Sequence, residues 1–162
     1  MRLILAFLIV FPLLAADPPS HFTGAGMGFQ DTGTPRTSGW FVTCVQTIPN
    51  LYACLANDYA GGNTSTRAEA HQLLKRLGTC SILGTIGAGA ATGASTGVGG
   101  SYDAGGVVAC EIPQRIIRHA GIYATFSGSW QKNNVVTAPD VGTALRAFGQ
   151  QTVWRFGFGK GW

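Results

Sequence analysis

Charge is the scarcest commodity in this 162-residue chain: Asp, Glu, Lys and Arg together make up 11% of it, and only 7 residues are acidic. Low charge with few aromatics would describe a disordered linker, but aromatics reach 10%. After the first sixteen positions there is no apolar run of the roughly 20 residues that a membrane-spanning helix needs. No Cys-x-x-Cys spacing or histidine pair accompanies the 4 cysteines, so no zinc pattern is present. The glycine clusters GAGMG and GAGAATG lack the Gly-Lys-Ser/Thr ending of a phosphate loop. His21, His71 and His119 lie in no recognisable catalytic motif. The net charge of +4 gives no case for nucleic acid as a partner.

What is present begins with Met1–Ala16, MRLILAFLIVFPLLAA: one arginine, an apolar run, then small residues before Asp17-Pro18-Pro19. That layout predicts a secretory signal peptide over 1–16, cleaved after Ala16, and one domain over 17–162. The alternative is an N-terminal anchor.

The domain reads as alternating segments. Thr152–Trp162, TVWRFGFGKGW, is the clearest. Trp154, Phe156, Phe158 and Trp162 share one face, interrupted by Lys160; Arg155, Gly157, Gly159 and Gly161 share the other. A soluble edge strand is usually blunted by charge, whereas an aromatic face against lipid and a bare face toward a narrow interior make sense of this pattern. Seven further segments are predicted at 21–30, 39–47, 51–59, 66–77, 80–92, 101–112 and 121–131. The fourth, containing RAEAHQLLKRL, has helix-forming composition but is needed as a strand if the sheet is to close. Connections after segments two, four and six read as fairly short. Those after one, three, five and seven read as mostly longer and richer in Gly, Asn, Thr and Asp. Eight strands with that asymmetry describe a transmembrane barrel, and the segments suit the about 9–11 residues needed to cross.

The expected fold is therefore all-β, an eight-stranded antiparallel up-and-down transmembrane β-barrel. It resembles the small outer-membrane barrels of the OmpA/OmpX type over the whole mature chain. The resemblance implies the bacterial outer membrane as location, with lipid as surroundings and both ends of the barrel on the periplasmic side. It also implies that Trp154, Phe156, Phe158 and Trp162 form the signal read by the barrel-assembly machinery. The member it implies has a structural role or binds a ligand or partner through its outer loops, particularly 132–150. It has no chemistry of its own and needs no cofactor or metal.

An eight-stranded barrel is only wide enough for side chains to fill its interior, which argues against an open pore. The expected interior set is Arg67, Glu69, His71, Asp103, Glu111, Tyr123, Thr125, Ser127, Gln131 and Arg155. Its charges must be paired or hydrated. Arg67, Lys75 and Arg155 stand against Glu69, Asp103 and Glu111, and a structural ion-pair plug is preferred to a gated path. Arg155 most needs a partner. The inward face of segments two and three stays open, because Trp40, Val42 and Cys44 alternate with Phe41, Thr43 and Val45.

Cys44 and Cys54 lie five residues either side of Pro49, and Cys80 and Cys110 lie symmetrically about Ser95. Disulfides Cys44–Cys54 and Cys80–Cys110 are expected on that symmetry, against free buried thiols. Two other functions remain open: a secreted, lipocalin-like barrel holding an apolar ligand, and an outer-membrane enzyme of the acyltransferase type.

Overall fold

A computed structural model describes residues 19–31, 36–60, 63–93, 97–113, 121–136 and 150–161. The expected signal peptide at 1–16, His119, most of the 132–150 connection and Trp162 lie outside the described residues. Eight strands follow one another: β1 (His21–Asp31), β2 (Arg36–Ile48), β3 (Leu51–Ala60), β4 (Asn63–Leu77), β5 (Cys80–Gly93), β6 (Gly97–Glu111), β7 (Ile122–Val136) and β8 (Gln150–Gly161). Each pairs antiparallel with the next, and β1 closes on β8. The chain is an eight-stranded antiparallel up-and-down barrel.

Closure decides the ambiguous segment. The helix-forming stretch of β4 is paired to β3 on one side and to β5 on the other. Helix propensities differ by at most about 0.7 kcal/mol per ordinary residue, which two ladders of backbone hydrogen bonds easily outweigh.

One rim carries the tight turns β2–β3 and β4–β5 together with the start of β1 and the end of β8; it is called the turn rim below. Asn50, at φ 68°, closes the first turn, and Asn tolerates this left-handed conformation better than most residues. Gly78, at φ 60°, serves the second. The expected difference in connection length is largely absent. At the opposite rim the gaps between strands are 32–35, 61–62 and 94–96, and only 137–149 is long. Strands β6 and β7 begin and end inside stretches whose Gly, Asn and Thr read as loops, because a hairpin ladder pairs backbone regardless of side chain.

Alternation sorts the side chains into two faces. On β2, Ser38, Trp40, Val42 and Cys44 are buried inside while Phe41 and Val45 are exposed, so the face left open by the sequence is fixed. On β8, Trp154, Phe156 and Phe158 point out and Arg155 points in. A bulge between Leu73 and Lys75 breaks the alternation of β4. Lys75 is thereby turned outward near the turn rim, opposite Ile82, and is not an interior cation.

Candidate functional site

The interior is organised in layers, and an ion-pair cluster crosses its middle. Arg155 comes from β8, Asp58 from β3, Arg67, Glu69 and His71 from β4, Asp103 from β6 and Ser129 from β7. All lie at alternate positions of their strands, which aims them at one another across the lumen.

Arg155 donates from Nε to Asp58 Oδ1 at 2.8 Å and from Nη2 to Asp58 Oδ2 at 2.9 Å, a two-pronged grip. It also donates to Ser129 Oγ at 2.7 Å and to Asp103 Oδ2 at 3.3 Å. Arg67 pairs from Nη2 with Oδ2 of the same Asp58 and donates from Nε to Glu69 Oε1 at 3.1 Å and from Nη1 to Ser65 Oγ at 2.6 Å. Glu69 Oε2 meets His71 Nε2 at 2.8 Å. Ser129 donates to Asp103 at 2.8 Å. Arg67 is 1% exposed, which means its charge has no recourse to water and depends on these partners.

The expected interior residues thus separate. Arg67, Glu69, His71, Asp103 and Arg155 come together in the cluster. Gln131 lies above it and donates to Ser65 Oγ at 3.3 Å. Thr125 is buried below it. Glu111 lies at the turn-rim end of β6, opposite Tyr123, away from Arg155. The partner that Arg155 does use, Asp58, was missed by sequence reasoning. The signal was present: Asp58 is four residues beyond Cys54, so an inward Cys44–Cys54 bridge also fixes Asp58 inward.

Both cysteine pairs are bonded. Cys44–Cys54 joins β2 to β3 inside the barrel, with both residues buried. Cys80–Cys110 joins β5 to β6 on the outer face, in step with outward Ile82 and Val108. The sulfurs of Cys44 and Cys54 and a ring nitrogen of His71 lie within 4.8 Å of one another. Metal binding requires thiolates, and here both sulfurs are committed to the disulfide.

Toward the turn rim the interior is not polar, contrary to expectation. Trp40, Val42, Cys44, Tyr52, Cys54 and Ala56 form a buried apolar cluster, with Phe22 and Leu83 packed against it. The bare face of β8 accommodates this layer. A side chain at Gly159 would overlap the ring of Phe22, and one at Gly157 would come within 2.6 Å of Trp40 Cζ2. Trp40 lies over this trough and donates from Nε1 to the Phe156 carbonyl at 3.1 Å.

No family model matches the sequence, and no curated protein matches it. Among solved structures, the chain is similar to one described as "De novo design of transmembrane beta-barrels". The superposition has a TM-score of 0.54 at 9% identity and covers 91% of this chain and 98% of that one. At this identity the likeness concerns the fold, and it agrees with the closed eight-stranded topology.

Proposed function

We propose that the chain is an outer-membrane β-barrel of the OmpA/OmpX type, exported by a cleaved signal peptide over 1–16. One observation carries this reading: large apolar residues stand exposed on every strand. They include Met27 and Phe29 on β1, Phe41 on β2, Leu55 on β3, Leu74 on β4, Ile86 on β5, Tyr102 on β6, Trp130 on β7 and Phe158 on β8. In water such a belt would be an aggregation site; in a bilayer it is the lipid-facing surface. Among the described residues, the charged side chains of the outer face are Lys75, Lys132 and Lys160, placed toward the two rims where they can reach the interface. A secreted lipocalin-like barrel would need the opposite arrangement, with its polar set outside.

The turn rim faces the periplasm in this reading. Trp154, Phe156, Phe158 and Trp162 are the residues for the assembly machinery to recognise. The role is structural, or one of binding at the outer loops, without chemistry of its own. The ion-pair cluster is a plug and not a catalytic centre: each carboxylate in it is engaged by an arginine. Fractionation of expressing cells tests the location. Retention in the outer membrane with heat-dependent gel mobility is expected, and recovery of the mature chain as soluble protein without detergent would refute it.

A further inference from the structure

The apolar layer does not fill its half of the barrel. Between the ion-pair cluster and the turn rim lies a cavity of about 110 Å³. Its walls are largely apolar, including Phe22, Trp40, Val42, Ala56, Leu83 and Val107. An apolar engineered cavity of about 150 Å³ holds benzene, so this space suits a molecule of one ring or a short chain.

Two hydroxyls without partners line the cavity from opposite sides of the barrel, one on β3 and one on β7. Tyr52 Oη and Thr125 Oγ1 are buried and make no hydrogen bond among the described residues. Tyr52 is 5% exposed and Thr125 7%. A buried hydroxyl left unpaired is costly, and both groups can donate or accept. The inner end of the cavity is closed by Asp58, Glu69 and Asp103 set against Arg67 and Arg155, so carboxylates outnumber guanidiniums. A ligand carrying its own negative charge would be repelled at that inner end, where both guanidiniums are already paired with carboxylates.

We infer that this cavity is a binding site for a small uncharged apolar molecule bearing one hydroxyl, with Tyr52 on one wall or Thr125 on the other as its hydrogen-bonding partner. The site reaches the turn rim, where Pro19 and Tyr123 line it. It rests on the fold and not on the membrane location.

The test uses the full barrel refolded in lipid vesicles, with its heat-dependent gel mobility recorded first. Benzyl alcohol, toluene and benzoate are titrated while the methyl resonances of Val42, Leu83 and Val107 are followed beside outward Ile86. Benzyl alcohol is expected to shift the three inner methyls saturably, toluene to bind roughly five- to tenfold more weakly, and benzoate not to bind. Tyr52→Phe should narrow the gap between benzyl alcohol and toluene, and Ala56→Leu should fill the space and abolish the inner shifts. The inference falls if a correctly refolded barrel shows shifts only at Ile86, shifts that survive Ala56→Leu, equal binding of benzoate, or water alone in the cavity. Failure to insert in vesicles would instead count against the membrane reading and leave the cavity to be titrated in detergent, with the same outcomes decisive.

Discussion

Arg155 and Arg67 share the carboxylate of Asp58, so removing it leaves two buried guanidinium groups with only Glu69 and Asp103 to balance them. Breaking a buried pair costs about 3–5 kcal/mol because the remaining charge stays desolvated. Asp58→Ala is therefore expected to destabilise the folded barrel by about that amount in urea titrations from lipid vesicles. Glu111→Ala, at the turn-rim end of β6 and outside the cluster, is expected to cost under about 1 kcal/mol. The same residues show what could be read from sequence. Arg155 on a face otherwise made of glycine announces a need for a partner. Asp58 does not announce itself, because β3 is apolar on both faces: Leu51, Ala53 and Leu55 alternate with Tyr52, Cys54 and Ala56. The disulfide register sets Asp58 on the face of Cys54, and only the closed barrel turns that face inward.

Among the elements, β8 shows most directly how composition sets the interior. Its glycines are expected on a strand with something large opposite, but the large groups are the rings of Trp40 and Phe22, contributed by β2 and β1. Neither contact is local, so no pattern within β8 identifies them. Gly159→Val would force its side chain into Phe22 and the Thr23 carbonyl, and an overpacked interior costs about 1–3 kcal/mol. Gly39→Val is the control: nothing lies within 4 Å of its Cβ position, and the change is expected to be neutral or slightly stabilising. Unfolding of the two variants under identical conditions checks both. The disulfides act at this scale too. Cys80–Cys110 closes a separation of 30 residues and Cys44–Cys54 one of 10. On chain-entropy grounds, removing the first by serine substitution should destabilise the barrel by roughly 1 kcal/mol more than removing the second. A thiol assay on the unfolded, unreduced protein should find no free thiols. The helix-forming β4 is the opposite lesson, since its local preference was misleading and only closure of the sheet identified it as a strand.

For the whole molecule, strand number, antiparallel order and the outward aromatic face of β8 were legible because period-two alternation survives in most segments. Connection lengths were not legible, because Gly, Asn and Thr at the rim opposite the turns pair as strand although they read as loop. The division of the interior into a charged middle and an apolar half was likewise hidden. It depends on Trp40 and Tyr52, from two strands whose inward faces their own alternation did not fix, meeting Phe22 of β1. What remains is a barrel with a paired charge cluster in its middle and large apolar residues exposed on the outer face of every strand. Its tryptophans report this directly. Trp154 is 45% exposed on the outer face and Trp40 is 9% exposed inside. Variants retaining only one or the other, with the remaining tryptophans changed to phenylalanine, can be refolded into vesicles of lipid brominated along its acyl chains. Trp154 emission is expected to be strongly quenched and Trp40 emission largely protected. Equal quenching of the two, or quenching of Trp40 alone, would contradict a lipid-facing aromatic surface around a closed interior.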